Sequence, residues 1–472
     1  MQVKEELYAS TKNSYLKELT DEQGNKHFMY FVNKNVLLSK NMLKEMEKYI
    51  YLEFSYRFNQ PVDNLPSNIQ YIKFDSYFNQ SVNNLPTNLK ELHFGEYFNK
   101  PIDNLPKGLK VISFGNRFEQ ALNDKLPLSL ESITFADKFD RPLDYLPKGL
   151  ISLTFGSDFD KPICDILPSG LRNLTFGIDF NQSVDNLPLG LKSLDFAGKY
   201  IAGNFNQPVD NLPTGLQNLI LGNSFNNPVD KLPKGLKNLK FGHQFNQPVD
   251  NLPSGLLNLS FEDYFNKPVN NLPSGLLNLS FGKYFNKPVD NLPKGIKELK
   301  FGLCFNQLVN NLPIGLLNLS FGNTFEHPVD NLPIEIEELY FGRAFNQSVD
   351  NLPLNLKSLN FGWNFNQPVN NLPTGLQNLT FEGWFNQPVD NLPTGLQNLT
   401  FEGLFNQPVD NLPTGLQNLT LSYHFNQELG DKLPVGLQCL NIIKNYKKPL
   451  NNLPVSVKIK IFEGIRYEFD QA

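Results

Sequence analysis

FNQPVNNLPTGLQNLTFEGW, residues 365–384, is followed directly by FNQPVDNLPTGLQNLTFEGL, residues 385–404, and the two stretches differ at two positions. The leading Phe of these stretches recurs, mostly at steps of 20 residues, from Phe58 to Phe425. A fixed short period predicts one small supersecondary unit that is stacked on copies of itself. The repeat therefore decides the fold class before any other feature is considered.

Each repeat contains a short strand pattern, as in LLNLSFEDYFNKPVNNLPSG at residues 256–275. Leu259 and Phe261 alternate with Asn258 and Ser260, so the first pair is predicted to face a core and the second to face outward. The two prolines of the repeat exclude a long helix, so we expect an extended return path with tight turns. L-x-x-L-x-F is typical of the strand half of a leucine-rich repeat. The sequence predicts a mainly β, leucine-rich-repeat-like right-handed solenoid with a parallel sheet on its concave face.

Two Phe residues and one Asn recur in each repeat and are predicted to form columns. Phe261 and Phe265 represent the two Phe positions, which we expect to stack along the core. A single repeat buries too little apolar surface to offset its ordering entropy, so neighbouring repeats must complete the core. The Asn follows the second Phe, as in Asn246 and Asn266, and is predicted to form a ladder that satisfies backbone groups of the loop.

The two ends of the chain depart from the repeat. Residues 1–48 are predicted to form a small α/β cap, with short helices in KEELYASTKNSYLKEL and KNVLLSKNMLKEMEKY and a strand in HFMYFVNKN. The alternative for this segment is a divergent adaptor module. Residues 49–456 hold about twenty repeats of 20–22 residues. Residues 457–472 are predicted to be a C-terminal cap that protects an open sheet edge.

Composition narrows the classes of function. The formal net charge of −5 is small for 472 residues, so a basic nucleic-acid-binding stripe is not indicated. No run of 18 apolar residues is present, so we expect no membrane span. The three scattered cysteines favour a reducing, intracellular compartment over a disulfide framework. We further expect the chain to be a monomer.

FNQPVDNLP segments joined to GLQNLTF-like strands resemble FNIP repeat proteins, a subgroup of the leucine-rich-repeat class. The resemblance covers about residues 49–462 and recurs about twenty times. It implies a protein-interaction function, without catalytic residues, in a protein of social amoebae or of large DNA viruses that infect amoebae. The expected location is the cytoplasm, and the host-cell cytoplasm if the chain is viral. Some members carry an N-terminal F-box and recruit ubiquitin-ligase subunits, although residues 1–48 lack the opening Leu-Pro and the Leu-rich helical pattern of an F-box.

The concave strand face is the first candidate binding surface. Its outward positions hold small polar residues, namely Asn258, Ser260, Asn318, Ser320, Asn378 and Thr380. We expect this surface to be almost uncharged. It either binds a partner protein or serves only strand solubility and cross-strand pairing.

The tripeptide before the second Phe is the second candidate, because it varies between repeats that are otherwise alike. Its aromatic members are Tyr264, Tyr284, Trp363 and Trp384. Exposed aromatic residues are enriched in binding hot spots, so these four are predicted to contact a partner. The alternative is neutral variation in an unconstrained loop.

Chemistry-bearing motifs are few. The five His residues have no metal-like pair spacing, and no phosphate-binding loop or nucleophile elbow occurs. The recurring turn Asp, as in Asp250, interchanges with Asn, which argues against a calcium ladder. We therefore predict no enzyme activity, no cofactor and no metal site.

Overall fold

Short strands recur once per repeat in the computed structural model of the protein. The structure describes residues 7–11, 14–20, 26–122, 126–198, 202–429, 433–450, 453–455 and 457–462. The chain divides into two compact units, Met1–Gly242 and His243–Ala472, which are described separately below.

The first unit begins with three longer strands and one helix, followed by ten short strands among its described residues. These elements are β1 (Leu7–Thr11), β2 (Ser14–Thr20), β3 (Lys26–Val32), α1 (Lys40–Met46), β4 (Tyr51–Phe54), β5 (Tyr71–Lys73), β6 (Glu91–His93), β7 (Val111–Ser113), β8 (Ser132–Thr134), β9 (Ser152–Thr154), β10 (Asn173–Thr175), β11 (Ser193–Asp195), β12 (Asn218–Ile220) and β13 (Asn238–Lys240). A 3-10 turn spans Cys164–Ile166.

The described residues of the second unit contain strands alone. These are β14 (Asn258–Ser260), β15 (Asn278–Ser280), β16 (Glu298–Lys300), β17 (Asn318–Ser320), β18 (Glu338–Tyr340), β19 (Ser358–Phe361), β20 (Asn378–Phe381), β21 (Asn398–Phe401), β22 (Asn418–Thr420), β23 (Cys439–Ile443) and β24 (Lys458–Phe462).

From β3 onward, consecutive strands within each unit pair in parallel and in register. Leu259 lies opposite Leu279 in the second unit, and Ile72 lies opposite Leu92 in the first. The central residue of each short strand is buried, while its two neighbours are more exposed. Equivalent residues of successive repeats therefore lie next to one another along the sheet. The predicted mainly β, leucine-rich-repeat-like solenoid with a parallel sheet and turning returns is confirmed.

The core contains the two predicted Phe columns. Phe261 and Phe265 of one repeat stack with ring centroids 3.8 Å apart. Phe261 then lies 5.8 Å from Phe281 of the next repeat, and Phe265 lies 6.0 Å from Phe285. The rings are nearly parallel in every one of these pairs, because each repeat reproduces the ring orientation of the one before it. The prediction of two stacked columns is confirmed.

The predicted Asn ladder is also present. The backbone N–H of Asn266 donates to Oδ1 of Asn246 at 3.0 Å, and Asn286 donates to Asn266 in the same way. A second ladder runs along the turns, where Nδ2 of Asn271 donates to Oδ1 of Asp250 at 2.9 Å. An Asn side chain offers the same acceptor atom as Asp, which explains why the two residues interchange at this turn.

One of the two helices predicted in the N-terminal region is wrong. KEELYASTKNSYLKEL does not form a helix where it is described, because β1 and β2 pair antiparallel and β2 pairs antiparallel with β3. Tyr15 packs on Phe31 at 4.4 Å, and the hydroxyl of Tyr30 donates to Ser14 at 2.8 Å. These cross-strand contacts outweigh the local helix propensity of the segment. The predicted strand in HFMYFVNKN is confirmed as β3. The helix predicted in KNVLLSKNMLKEMEKY is present as α1, but only over Lys40–Met46.

The C-terminal end is described as far as Phe462. Residues 458–462 form β24, which pairs in parallel with β23. The remainder of the predicted C-terminal cap, residues 463–472, lies outside the described residues.

Candidate functional site

The six predicted strand-face residues all lie in the second unit and point away from its core. They occupy the first and third positions of β14, β17 and β20, as with Asn258 and Ser260, and all six are half-buried. The Leu between each pair, such as Leu259, is 2% exposed. The predicted orientation of the strands is therefore confirmed.

The strand-face Asn side chains bond to one another across strands. Nδ2 of Asn278 donates to Oδ1 of Asn258 at 2.5 Å, and Asn398 donates to Asn378 at 2.6 Å. These amides contribute to the cohesion of the sheet, so the hydrogen-bonding capacity left for a partner is smaller than the sequence suggests. The neighbouring Ser and Thr hydroxyls keep their outward position.

The middle of this face carries charges that our sequence analysis missed. Asn318 lies between Glu298 and Glu338 on the adjoining strands, and Ser320 lies between Lys300 and Tyr340. These four neighbours are exposed. The expectation of an almost uncharged face is therefore wrong at β16 to β18. A comparison of the repeats for their exceptions, rather than for their consensus, would have found these residues.

The two predicted tyrosines form a stacked pair at the exit of β14 and β15. The rings of Tyr264 and Tyr284 lie 5.2 Å apart with an interplanar angle of 25°, and both are exposed. The Nζ atom of Lys283 lies 5.0 Å from the Tyr284 ring centroid. The backbone N–H of Tyr284 donates to the carbonyl of Asp263 at 2.8 Å. Backbone hydrogen bonds thus join this loop to the loop of the preceding repeat, and they fix the position of the two tyrosines.

The two tryptophans form the corresponding spot at the exit of β19 and β20. The backbone N–H of Trp384 donates to the carbonyl of Trp363 at 2.7 Å. Trp384 is 49% exposed, whereas Trp363 is half-buried. Gly383, which directly precedes Trp384, has a φ of +54°, and a Cβ at this residue would lie 2.1 Å from the Trp363 carbonyl oxygen. Only glycine permits this close approach, which sets the position of the exposed indole of Trp384.

The structure therefore brings the aromatic residues together in two pairs and not in one patch. The same position holds Cys304, Thr324 and Ala344 in the intervening repeats. Those repeats are the ones that carry strands β16 to β18, of which β16 and β18 hold the charged residues. We use the name β14–β20 surface for the two aromatic pairs, the charged strands between them and the six strand-face residues.

A carboxylate with a perturbed acidity lies at one end of this surface. Glu382 directly follows β20, next to Gly383. Burial raises the pKa of the Glu382 carboxyl, and the nearby carboxylate of Glu402 raises this pKa further. The carboxyl groups of Glu382 and Glu402, at the same position in successive repeats, thus lie close enough to influence each other.

One group of side chains in the second unit could offer three ligands to a cation. Atoms of His243, Glu262 and Asp263 lie within 4.8 Å of one another, and all three side chains are half-buried. Nδ1 of His243 lies 3.2 Å from an Asp263 carboxylate oxygen. These two atoms are close enough for an ion pair when the imidazole is protonated.

The first unit contains a polar aromatic cluster at its N-terminal strands, which our sequence analysis also missed. Glu53 is buried and is bridged by Lys17 of β2 at 3.1 Å and by Lys73 of β5 at 3.0 Å. Tyr71 lies beside it, 5.2 Å from the ring of His93. Burial raises the pKa of Tyr71 to about 12, with smaller contributions from the charges of Glu53 and Glu91. The bridged carboxylate ties the N-terminal strands to the first repeats.

The in-register parallel strands, the turning returns and the stacked repeats define a solenoid of the leucine-rich-repeat class. The FNIP Repeat family matches residues 58–200, 205–304 and 345–384 in overlapping segments. The chain belongs to the FNIP repeat family.

The solved structures that are similar to the chain include the following two. The crystal structure of CroV588, described as a novel circular LRR protein, is 33% identical with a TM-score of 0.76, and the match covers 94% of this chain and 80% of that one. YopM from Yersinia enterocolitica WA-314 is 20% identical with a TM-score of 0.49, and the match covers 86% of this chain and 89% of that one. No curated protein matches the chain. Within the described residues, no helix has the length and apolar character needed to cross a membrane.

Proposed function

We propose that the protein is a non-enzymatic scaffold that binds a protein partner through the β14–β20 surface. The observation that supports this proposal best is Trp384, a large aromatic side chain that is half exposed on a loop whose backbone is constrained by Gly383. Rigid, exposed aromatic residues lose little entropy on binding and dominate many interfaces.

The charges of the surface support a protein partner further. Glu298, Lys300 and Glu338 lie between the two aromatic pairs, so apolar anchors flank a polar centre. Mixed charges at this point favour orientation and specificity over general electrostatic attraction. A nucleic acid or an anionic membrane would instead require an excess of positive charge, and the chain has a net charge of −5. We propose an intracellular protein because of its few, scattered cysteines, and we expect it to be a monomer.

The finer alternative is that the protein is a substrate adaptor of a ubiquitin ligase, with residues 1–48 as the recruiting segment. The described part of this segment contains three strands and the seven-residue helix α1, in contrast to the helical pattern of an F-box. We therefore propose the scaffold function and treat the adaptor function as an alternative outcome of the experiment below.

The test starts with capture of binding proteins from host-cell extract by the full-length chain. Each captured protein is then purified and titrated against wild type, Trp384→Ala and the pair Tyr264→Ala with Tyr284→Ala. Loss of a hot spot of about 2 kcal/mol should weaken binding roughly 30-fold. Leu354→Ser is the matched control, because it removes an exposed apolar side chain from a turn rather than from the β14–β20 surface.

Equal affinity of the aromatic variants and wild type would refute the proposed surface. An equal loss in Leu354→Ser would show that the effect is not specific to that surface. The adaptor alternative predicts captured ligase subunits that are lost in Leu37→Ser, which changes an exposed residue of the N-terminal segment. This substitution is preferable to deletion of residues 1–48, because deletion would strip β3 from its partner β4.

A further inference from the structure

The loops that follow β13 and β14 bring together three side chains of the types that bind metal ions. His243 lies in the loop after β13, and Glu262 and Asp263 lie in the loop after β14. His243 and Asp263 occupy the same position in successive repeats, so the solenoid places them side by side. One ligand atom of each of the three residues lies within 4.8 Å of those of the other two. All three residues belong to the second unit.

The imidazole of His243 contributes an unsatisfied nitrogen to this group. Its Nδ1 atom is buried and forms no hydrogen bond within the described part of the chain. A carboxylate oxygen of Asp263 lies 3.2 Å from Nδ1, but the contact lacks the alignment of a hydrogen bond. Buried polar atoms without a partner are rare, and a bound ion is one of the few physical reasons for them. This nitrogen is an observation independent of the two carboxylates.

We propose that His243, Glu262 and Asp263 form a binding site for a divalent transition-metal ion such as Zn²⁺. Imidazole nitrogens and carboxylate oxygens are common ligands of Zn²⁺. With Zn–N and Zn–O bonds of about 2.1 Å, the 3.2 Å between Nδ1 of His243 and the Asp263 oxygen corresponds to an angle of about 100° at the metal, close to that of a tetrahedral site. Glu262 supplies the third ligand by rotation about its side-chain bonds, and the fourth position stays open to water.

The ligand types and the local charge select the kind of ion. Ca²⁺ takes about six to eight oxygen ligands, and Mg²⁺ requires a near-ideal octahedron of oxygens, whereas this group offers one nitrogen and two carboxylates. Imidazole favours transition metals over both of these ions. Lys283 occupies the equivalent position of the next repeat, but the two carboxylates exceed its single positive charge. The group therefore keeps a net negative charge when His243 is neutral, as cation binding requires.

The backbone that carries the ligands is already fixed by neighbouring loops. The N–H of Tyr264 donates to the carbonyl of His243 at 3.0 Å, which joins the two ligand-bearing loops. On the other side, the loop of the next repeat packs so closely on the Glu262 backbone that Gly282 has no room for a Cβ. Ligands on a fixed backbone lose less entropy when they bind. The metal would thus link the loops of two successive repeats.

This site departs from our sequence-based expectation of no metal site. His243 and Asp263 are one repeat apart, whereas zinc motifs separate neighbouring ligands by only about two to five residues. The stacking of repeats brings the ligands together, so the spacing between His residues could not indicate the site.

Titration of the chelator-treated full-length protein with Co²⁺ tests the site, because the visible absorption of Co²⁺ rises when the ion enters a tetrahedral protein site. We expect saturable binding from which Zn²⁺ displaces Co²⁺. His243→Gln and Asp263→Asn should each weaken Co²⁺ binding at least about tenfold, since each removes a ligand. The matched control is Glu402→Gln, which changes a carboxylate at the position of Glu262 in a repeat whose loop holds neither His nor Asp. It should bind Co²⁺ as wild type does.

Amide hydrogen exchange of the wild-type protein provides a second readout that needs no variant. Zn²⁺ at about ten times its dissociation constant should slow exchange of the Tyr264 amide by about tenfold, because local opening of the loop must release the ion. The Leu404 amide is the internal control, since it makes the equivalent hydrogen bond to Gly383 in a loop without the ligands. Its exchange should not respond to Zn²⁺.

A lack of saturable binding of both Co²⁺ and Zn²⁺ would overturn the proposal and leave His243 and Asp263 as an ion pair. Equal affinity of wild type and the two ligand variants, measured in variants with wild-type Trp fluorescence, would also overturn it. An equal loss in Glu402→Gln, or equal protection of the Leu404 and Tyr264 amides by Zn²⁺, has the same meaning.

Discussion

Substitution of one ring in the Phe columns gives the most direct test of the core. Phe301 is 2% exposed, and its ring lies 3.7 Å from Phe305, 5.9 Å from Phe281 and 5.7 Å from Phe321. Truncation of a buried Phe to Ala costs about 3–5 kcal/mol, because a cavity remains. Three stacked partners are lost together, and each such pair contributes about 0.5–1.5 kcal/mol beyond its buried area. We therefore expect Phe301→Ala to reach the upper part of that range, about 4–5 kcal/mol.

Chemical denaturation followed by tryptophan fluorescence measures this effect. The only two tryptophans of the chain, Trp363 and Trp384, lie in the same unit as Phe301, so the signal reports on that unit. Repeat arrays depart from two-state unfolding, so amide hydrogen exchange around β16 and β17 is measured in parallel. Ser320→Ala on the strand face is the control and should change the free energy of unfolding by less than about 0.5 kcal/mol. A larger loss in Ser320→Ala than in Phe301→Ala would mean that the assigned strand faces are inverted.

Three further predictions concern single side chains. Asn286→Ala should lower the free energy of unfolding by about 1–3 kcal/mol, because the half-buried N–H of Asn306 loses the acceptor that lies 3.0 Å from it. Asn286→Asp is the control and should retain the bond, and an Asn286→Ala variant with the thermal unfolding of wild type would contradict the prediction. Gly383→Ala should lower the free energy of unfolding by about 2–5 kcal/mol and shift the tryptophan emission, because it places a Cβ at a left-handed φ and against the Trp363 backbone. An unchanged emission spectrum would argue against this loop geometry. Burial raises the pKa of Tyr71 to about 12, so its neutral form stabilises the fold below pH of about 10 and this contribution is lost as pH rises toward 12. The free energy of unfolding of Tyr71→Phe should therefore fall less steeply than that of wild type over this pH range, and the same slope in both proteins would refute the assignment.

The repeated part of the fold was predictable from the period alone. Once one strand is placed, translation by one repeat stacks Phe261 on Phe281 and brings Asn266 to Asn246, so the columns and the ladder follow from residue positions. The segment before the repeats has no second copy against which to compare it. Its β1 and β2 strands depend on pairing with β3, and such tertiary pairing leaves a weak local signal in a stretch rich in Lys, Glu and Leu.

The candidate site was predictable only in part, because binding residues are exceptions to the repeat. The aromatic members of the exit loops were found by asking where the repeats differ. Glu298 and Tyr340 are exceptions on the strand face, which the consensus of small polar residues at these positions conceals. The sequence also could not reveal that Trp363 is half-buried while Trp384 is exposed, because the difference depends on the left-handed turn at Gly383.

The Asn ladder has a direction. Near the N-terminal strands the N–H of Asn59 donates to Oδ1 of Asn35, and the N–H of Asn79 then donates to Oδ1 of Asn59. In each of these steps the acceptor belongs to the earlier residue and the donor to the later one. A nascent chain leaving the ribosome therefore finds its acceptor already in place whenever a new repeat emerges. Growth of the solenoid can keep pace with translation, one repeat at a time, from the N-terminal strands onward.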